Sequence, residues 1–492
     1  PFEPVSDNLG LDFVHREDPY IDFGTQPLLL RMLSRFGPAL AVGDVNRDGL
    51  EDVYVGGAHS QAGALYLQQL DGRFSRGDVP DFDRHAVYED EEALFVDIDN
   101  DGDLDLYVCS GGGREDVDAA IFQDRIYINS GFGRFAYDSD LLPEMAGGCG
   151  AIAAADYDKD GDQDLFVGGR VQPGRYPFPA RSYVLENIGG RFIDATERAS
   201  TALLEPGLIT DAAWVDLDGN GLLDLVLVGE WMPIRVFRQH EDHTFEEITS
   251  VAGFEKTDGW WNRLLFADLD NDGDLDLVAG NRGINTWLRP ATNRPVMLAA
   301  GDFDGNGSID AIPSVHSEGA AYPAVFRDEL TAVLPSLKRS FPTYTSYADA
   351  TLADVISREH FRKAHMLTAF DFETSIFEND GKGTFTKRPL PIEAQFAPVN
   401  DILVHDVDRD GYLDVVLAGN DFGTRVQSGR ADAGRGLLLL GRPGLLFEAT
   451  PPNRSGFLTA GDVRHLALLS STQGLRVLVA NNDGPFNTFT LQ

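Results

Sequence analysis

The sequence predicts an all-β fold made of a repeated four-stranded unit. An acidic motif with the spacing Asp-x-Asp/Asn-x-Asp/Asn-Gly-x-x-Asp occurs seven times, each time between two short apolar runs with strand character. A second hairpin with a Gly-rich turn and a closing Phe is visible six times, at residues 64–74, 125–135, 182–192, 234–245, 374–385 and 436–447. Four strands per unit and a period of about 50–60 residues are typical of a β-propeller.

The acidic motif has the chemistry of a calcium loop. In residues 267–280, Asp268, Asp270, Asp272 and Asp276 stand at positions 1, 3, 5 and 9, and Gly273 at position 6 permits a sharp turn. Alternate carboxylates then converge on one point, which suits Ca²⁺ with its 6–8 oxygen ligands. The first half is similar to an EF-hand loop, but position 12 has no Glu and no helix flanks the loop. The motif therefore predicts a calcium loop at the turn of a β-hairpin.

The seven loops define the predicted metal ligands. We expect about seven Ca²⁺ ions in total. Polar turns without metal are the alternative, which mutual repulsion between the clustered carboxylates disfavours. The ligands are Asp44, Asn46, Asp48 and Asp52; Asp97, Asp99, Asp101 and Asp105; Asp156, Asp158, Asp160 and Asp164; Asp216, Asp218, Asn220 and Asp224; Asp268, Asp270, Asp272 and Asp276; Asp302, Asp304, Asn306 and Asp310; and Asp406, Asp408, Asp410 and Asp414.

Composition narrows the classes of partner. The formal net charge is -39 with 79 acidic residues, and seven Ca²⁺ ions would leave it strongly negative, which argues against nucleic acid as a partner. No apolar run approaches the roughly 18 residues that a membrane-spanning helix needs. Because the first residue is Pro and no signal peptide precedes it, we expect a processed or truncated mature form.

The ends of the chain predict how the ring closes. Residues 465–484 form an eighth unit whose first turn lacks carboxylates, and residues 486–492 supply its third strand. Residues 2–11 are similar to the fourth strands of other units, so we expect the N-terminal strand to complete the last blade and remove an open sheet edge. The prediction is a single propeller domain over residues 1–492. Eight blades with a reduced fifth blade are favoured, and seven blades are the alternative.

One segment departs from the repeat. Residues 327–365 lie in the long interval between the sixth and seventh loops, and Leu330, Leu334 and Leu337 follow helical spacing. The sequence therefore predicts a helical insertion projecting from the sixth blade. It either carries specificity or packs as a lid on the rim.

Several strings resemble known families. The repeated (A/G)DxDxDGxxDLxVxG pattern resembles the FG-GAP/VCBS repeats of integrin α-subunit propellers. Residues 26–57, 258–281 and 326–330 resemble bacterial proteins related to cartilage acidic protein, which carry VCBS repeats and an ASPIC/UnbV domain. The resemblance implies extracellular calcium binding and adhesion or ligand binding, with no known reaction. It also implies that the chain is one propeller of a longer secreted or outer-membrane-anchored precursor, since no separate ASPIC/UnbV domain is visible.

The loops and the cysteines bear on location. Calcium loops of this kind suit a compartment where Ca²⁺ is near millimolar, such as the outside of a cell. Cys109 ends the second strand of the second unit, and Cys149 begins the first strand of the third, so both lie at the same rim. They either form a disulfide or remain two buried thiols.

Candidate ligand-binding residues lie opposite the predicted calcium turns. In a propeller, the connections from second to third strand and from fourth to first strand share one rim, here called the connection rim. Aromatic and arginine side chains there suit stacking and hydrogen bonding with a sugar or peptide, but they equally suit packing between blades. The candidates are Arg170, Arg175, Tyr176, Trp231, Trp260, Trp261, Arg282 and Trp287, with Glu230, Asn281, Asp421 and Arg425 beside them.

Three functions remain open. The favoured one is an extracellular, calcium-stiffened binding or adhesion module for a glycan, a peptide or a partner protein. The second is a structural subunit of a cell-surface, outer-membrane or filament assembly. The least favoured is a polysaccharide lyase or hydrolase, because the sequence has no GxSxG or HExxH motif and no cysteine nucleophile context. We therefore expect a protein that is not an enzyme.

Overall fold

The computed structural model describes residues 1–5 and 9–492 and consists mainly of four-stranded antiparallel sheets. The N-terminal strand β1 is Phe2–Pro4, and four sheets then follow in chain order. Their strands are β2 (Leu40–Gly43), β3 (Asp52–Val55), β4 (Ala64–Gln68) and β5 (Phe74–Arg76); β6 (Asp90–Val96), β7 (Asp105–Ser110), β8 (Arg125–Asn129) and β9 (Phe135–Asp138); β10 (Cys149–Ala155), β11 (Asp164–Gly169), β12 (Tyr183–Asn187) and β13 (Phe192–Asp194); and β14 (Leu208–Val215), β15 (Asp224–Met232), β16 (Arg235–Gln239) and β17 (Phe245–Glu247).

The second half of the chain contains four more sheets. The short strand β18 (Gly259–Trp260) pairs with β15 and precedes them. The remaining strands are β19 (Arg263–Ala267), β20 (Asp276–Gly280), β21 (Val296–Gly301), β22 (Asp310–Ser317), β23 (Ala320–Pro323), β24 (His365–Ala369), β25 (Ser375–Asn379), β26 (Phe385–Pro389), β27 (Asp401–His405), β28 (Asp414–Ala418), β29 (Leu437–Arg442), β30 (Leu446–Thr450), β31 (Asp462–Ser471), β32 (Gly474–Asn482) and β33 (Asn487–Leu491).

Helices are short and lie between strands. The helices are α1 (Pro80–Arg84), α2 (Thr196–Ala199), α3 (Arg327–Val333), α4 (Leu337–Ser340), α5 (Tyr344–Tyr347), α6 (Leu352–Val355), α7 (Arg358–Lys363) and α8 (Pro452–Ser455), with 3₁₀ turns at Asp22–Gly24, Ala119–Phe122, Thr201–Leu203, Ile392–Gln395 and Val426–Ser428. Among the described residues, none of these helices has the length and apolar content that crossing a bilayer would require.

Seven sheets pack in a closed ring through their first strands. The order of neighbouring strands around the ring is β2, β6, β10, β14, β19, β27, β31 and again β2. In each of these sheets the strands follow one another outward from the centre, so the first strand lines the axis. The N-terminal strand β1 pairs antiparallel with β33 and forms the fourth strand of the last sheet. Residues 6–8 of the segment 2–11, which the sequence assigned to this strand, lie outside the described residues.

The eighth sheet lies outside the ring, which corrects the favoured arrangement of eight blades. Strands β21–β24 form a separate sheet in the order β23-β22-β21-β24, and β24 packs against β15 and β18 of the fourth sheet. The hairpin at residues 374–385 pairs with β20 and not with this sheet. The fifth sheet is therefore complete, and the segment between β20 and β25 is an insertion. The sequence favours an extra blade here because the insertion carries an acidic loop, at Asp302, with the same spacing as the loops of the ring sheets.

The insertion has its own hydrophobic core. Residues 327–365 are helical, as the spacing of their leucines predicts, and contain α3–α7. Leu330, Leu334 and Leu352 are buried together with Ile312 of β22. The helices connect β23 to β24, so they belong to the sheet that carries the sixth loop, at Asp302; that sheet lies outside the ring.

The N-terminal strap, residues 12–38, crosses the connection rim. Val14 bridges to Pro485 beside the seventh sheet, and Asp18 pairs with Arg114 beside the second. The side chain of Gln26 donates to the carbonyl of Gly174 beside the third sheet at 3.0 Å. Arg31 bridges to Thr424 beside the sixth. These contacts place the strap over the mouth of the central channel, which no local sequence pattern predicts.

Cys109 and Cys149 form a disulfide that joins the second and third sheets. Their Cα atoms are 5.7 Å apart, and both side chains are buried. Cys109 lies near the end of β7 and Cys149 at the start of β10. The sequence left open whether these cysteines form a disulfide or remain two buried thiols, and in the structure they form the disulfide.

Candidate metal centres and the connection rim

Six acidic loops lie on one edge of the ring, here called the metal rim. They connect the first and second strands of the first six ring sheets. The loop at Asp302 connects β21 and β22 of the inserted sheet and borders the strap near Gln26 and Leu28. This position corrects the expectation that all seven loops share one rim.

The first Asp of each loop organises the turn. In all seven loops one of its carboxylate oxygens accepts a hydrogen bond from the N–H of the position-6 glycine, at 2.8–3.2 Å. At Asp268 the other oxygen accepts from the N–H of Asp272 at 3.1 Å. Gly273 has φ +98°, a backbone conformation in which any residue with a side chain would be strained. Spacing in the sequence thus encodes one shared backbone shape.

The last Asp of the loop is buried and ties the turn to its sheet. Asp276 accepts from the N–H of Leu269 at 3.3 Å and from the N–H of Asn379 in β25 at 3.0 Å. Burial raises its pKa to about 7, although both hydrogen bonds oppose this shift. The pKa of Asp52 is likewise raised to about 7 by burial. A divalent cation next to such carboxylates would favour their charged form.

The donor atoms present fit a hard cation. One ligand atom from each of Asp97, Asp99 and Asp105 lies within 4.8 Å of the others, and sets from two other acidic loops share this geometry. Those sets are Asp156, Asp158 and Asp164, and Asp268, Asp270 and Asp272. Asp97 Oδ1 and Asp156 Oδ1 are buried and have no hydrogen-bond partner among the described residues. All of these donors are oxygens, as Ca²⁺ and Mg²⁺ prefer.

Neighbouring loops contact each other across the sheets. Arg47 donates to the carbonyl of Gly102 at 3.1 Å, Lys159 to that of Gly221 at 2.6 Å and Asn271 to that of Gly411 at 3.1 Å. Each donor stands at position 4 of its loop, and each acceptor at position 6 of the next loop. The chain of contacts is interrupted after the fourth sheet, where position 4 is glycine.

Amide side chains at the ends of third strands form a second link between neighbouring sheets. These residues were not among those predicted from the sequence. Asn129 donates from Nδ2 to the carbonyl of Val45 at 2.8 Å, and Asn187 donates in the same way to Ile98 at 2.7 Å. Both carbonyls belong to position 2 of the preceding metal loop. Gln68, Gln239 and Asn379 occupy the equivalent place. The sequence does contain a pattern that marks these amides. In five hairpins an Asn or Gln stands five or six residues before the closing Phe.

Most of the predicted ligand-binding residues are buried, and four of them lie under the strap. Trp261 is 0% exposed, Trp231 and Trp260 are 2% exposed, and Tyr176 and Arg170 are also buried. Trp231 and Trp260 pack edge to face with ring centroids 5.1 Å apart. Trp231 and Trp260 pack against apolar residues of the strap, and Trp261 packs between the fourth and fifth sheets. Arg175 and Trp287 are exposed, and Arg282 is intermediate.

The buried residues form a charged cluster around Arg31 of the strap. Arg31 pairs with Glu230 and lies 3.7 Å from Asp421, while Arg170 contacts Glu230 at 2.9 Å and Arg282 contacts Asp421 at 3.2 Å. Burial alone would raise the pKa of Glu230, but Arg31 and Arg170 outweigh it and lower the pKa to about 2. The cluster fastens the strap to the fourth and sixth sheets.

The central channel is lined by charged residues at equivalent positions of the first strands. Arg263 contacts Glu92 at 2.9 Å, Asp401 at 3.0 Å and Asp211 at 3.4 Å, which links four sheets at the axis. His465 lies 3.7 Å from Asp401, and burial, assisted by Arg263, lowers its pKa to about 4. The channel thus holds an ion-pair network rather than an apolar core.

Sequence comparison identifies the repeat. Three segments, residues 44–108, 97–167 and 216–279, match the family model described as FG-GAP-like repeat. These three segments are therefore similar to FG-GAP-like repeats. The matched segments include the first five acidic loops, from Asp44 to Asp276. No curated protein is detectably similar in sequence.

Comparison with solved structures gives matches of low sequence identity, with TM-scores below 0.5. Saccharomyces cerevisiae Sqt1 is 12% identical with a TM-score of 0.42, over 94% of this chain and 98% of Sqt1. The V. cholerae biofilm matrix protein Bap1 is 11% identical with a TM-score of 0.37, over 98% of this chain and 90% of that chain. The Dos1 propeller is 9% identical with a TM-score of 0.38, over 98% of this chain and 97% of that chain.

Proposed function

We propose that this chain is a calcium-stabilised β-propeller that acts as an extracellular binding or adhesion module for a glycan, a peptide or a partner protein. The proposal rests on the difference between the loops of the two rims. The metal rim consists of short loops of one repeated shape, whose carboxylates turn inward. The connection rim collects the long segments without repeats, namely the strap, residues 111–124, the insertion and residues 419–436.

Calcium has a structural role in this proposal. The predicted ligands, such as Asp268, Asp270, Asp272 and Asp276, hold the ion, which neutralises carboxylates that otherwise repel each other. The contacts between successive loops then extend the stiffening around the ring. A rigid ring holds the connection rim in one geometry, which lowers the entropic cost of binding.

The disulfide and the calcium loops together support an extracellular location. Disulfides persist in oxidising compartments, and loops of this type suit Ca²⁺ near millimolar. We further propose that the chain is related to the bacterial cartilage-acidic-protein-like group with ASPIC/UnbV domains, as residues 26–57 and 258–281 suggest. A secreted or outer-membrane-anchored precursor follows from that proposal.

The experiment that tests the function combines a glycan array with native mass measurement, each with Ca²⁺ and after chelation. A binding module gives calcium-dependent binding by a monomer or small oligomer. A structural subunit, the second candidate, gives a large defined assembly and no glycan signal. Turnover of bound oligosaccharides, detected as new reducing ends or unsaturated products, would contradict the proposal that the protein is not an enzyme.

A further inference from the structure

An exposed aromatic and basic surface lies on the connection rim where the fifth and sixth sheets meet. It is formed by residues 282–294, which follow β20, and residues 425–435, which precede β29. We call it the Trp287 surface. These two segments contain six arginines and a single acidic residue, Asp432, in a chain with 40 basic and 79 acidic residues.

Trp287 is exposed and held in place. Its side chain is 43% exposed, and its indole N–H donates to Ser428 Oγ at 3.1 Å. The guanidinium of Arg425 lies 5.4 Å from the centroid of the ring. Arg425 is itself fixed, since it donates to the carbonyl of Ala324 at 2.9 Å. A rigid aromatic side chain loses little conformational entropy when a ligand stacks on it.

Further exposed groups lie on these two segments or are contacted by them. Phe396 is 46% exposed and Val426 is 92% exposed. Asn285 joins this patch by donating to the carbonyl of Phe396 at 3.0 Å. Arg289 and Arg430 are exposed, and within the described part of the chain neither has a carboxylate within ion-pair distance. The guanidinium of Arg430 lies 4.9 Å from the centroid of the Phe422 ring. The surface therefore offers stacking area together with guanidinium groups that no described carboxylate pairs.

We infer that the Trp287 surface binds a carboxylate-bearing polysaccharide, with a sugar ring stacked on Trp287 and uronate groups paired to Arg289 and Arg430. Charge complementarity carries this choice, because a basic patch on a protein of net charge -39 attracts an acidic ligand to this place and repulsion keeps it away from most others. Guanidinium forks match planar carboxylates with two parallel hydrogen bonds. This inference rests on the proposed binding function and names its ligand class.

The test uses calcium-loaded protein and three groups of probes at physiological salt. The groups are uronic-acid oligosaccharides (fragments of hyaluronan, glucuronan and polygalacturonate), dextran sulfate, and neutral dextran. We expect at least one uronic-acid oligosaccharide to bind, dextran not to bind, and dextran sulfate to bind more weakly. Titration calorimetry of the wild type then gives the reference affinity.

Matched variants locate the binding surface. Trp287→Ala and the double variant Arg289→Ala/Arg430→Ala should each weaken uronate binding by about tenfold or more. Phe132→Ala and Arg134→Ala, which change an exposed aromatic and an exposed arginine in the turn after β8, should leave it unchanged. Unchanged melting temperatures exclude misfolding. Trp287→Phe should retain part of the affinity if stacking contributes.

Several outcomes would overturn the inference. Failure of every uronate probe is one, and equal binding of dextran sulfate without any effect of Trp287→Ala is another, since it would indicate unspecific polyanion attraction. Binding of a neutral glycan or a protein that is insensitive to Trp287→Ala and to the double variant Arg289→Ala/Arg430→Ala would also overturn it, yet it would leave the proposed binding function standing. Absence of any binding in both this test and the glycan array would contradict both.

Discussion

The side-chain amide of Asn379 donates a hydrogen bond to the backbone carbonyl of Leu217 at 3.1 Å. Leu217 is the second residue of the metal loop in the fourth sheet, and Asn379 ends the third strand of the fifth sheet. The contact places these two sheets next to each other even though the insertion separates Asn379 in sequence from the first two strands of its sheet. It is one of five equivalent links between a third strand and the preceding sheet.

Removing this link should lower stability. Asn379→Ala deletes the donor to the carbonyls of Leu217 and Leu275, and an unsatisfied buried polar group costs about 1–3 kcal/mol. We expect a lower free energy of unfolding by about this amount in urea titrations. Asn293→Ala, at an exposed asparagine, is the matched control. Equal stability of both variants would show that the amide link is not a structural contact.

Calcium removal should destabilise the whole ring. An ion that binds only the folded state stabilises it by mass action, by about 2.7 kcal/mol per site at 100 times its dissociation constant. Chelation should lower the melting temperature, and added Ca²⁺ should restore it. A melting curve that does not change after confirmed metal loss would contradict the structural role of calcium.

Individual loops are testable by counting ions. Native mass spectrometry should find about seven Ca²⁺ ions in the wild type and one fewer in Asp270→Ala, because Asp270 supplies one of the converging oxygens of its loop. Asp349→Ala, at an exposed Asp outside the loops, should keep the wild-type count. The same count in Asp270→Ala would remove this loop from the set of metal sites.

The channel histidine should make stability depend on pH. Burial lowers the folded-state pKa of His465 from 6.5 to about 4, so the unfolded state binds more protons between these values and stability falls as pH decreases through this window. The full effect is of order 3 kcal/mol, from 1.36 kcal/mol per pKa unit. Unfolding free energies measured at pH 7 and pH 5 should therefore differ less in His465→Gln than in the wild type.

A control separates His465 from the other titratable groups. His240→Gln changes an exposed histidine and should keep the wild-type difference between pH 7 and pH 5. If His465→Gln also kept that difference, the histidine in the channel would be charged in the folded state. The contacts of His465 with Asp401 and Glu92 would then be ion pairs.

The disulfide between Cys109 and Cys149 should contribute to stability under oxidising conditions. The two cysteines are 40 residues apart, and closing a loop of this length stabilises by about 4 kcal/mol in the chain-entropy model. The double variant Cys109→Ala/Cys149→Ala should melt at a lower temperature than the oxidised wild type. Reduction should shift the wild type towards the variant and leave the variant unchanged. A variant that melts with the oxidised wild type would contradict this role.

Local chemistry was readable from the sequence. The spacing of Asp268, Asp270, Asp272 and Asp276 with Gly273 specifies the turn, because each of these residues acts within a few positions of the others. The hairpins and the helices of residues 327–365 were predictable for the same reason. The all-β repeat fold and the positions of the seven acidic loops in the sequence follow from such short-range patterns alone.

Tertiary structure decided which elements meet. The hairpin at residues 374–385 joins β20, and the sheet with the Asp302 loop is left outside the ring, because pairing depends on complementary edges and packing rather than on order along the chain. The same holds for two tryptophans that look like binding residues in the sequence. Trp260 is buried beneath the strap, where Arg31 lies over its ring, and Trp261 is buried between the fourth and fifth sheets. Burial is a property of distant segments packed together, and no local pattern of residues encodes it.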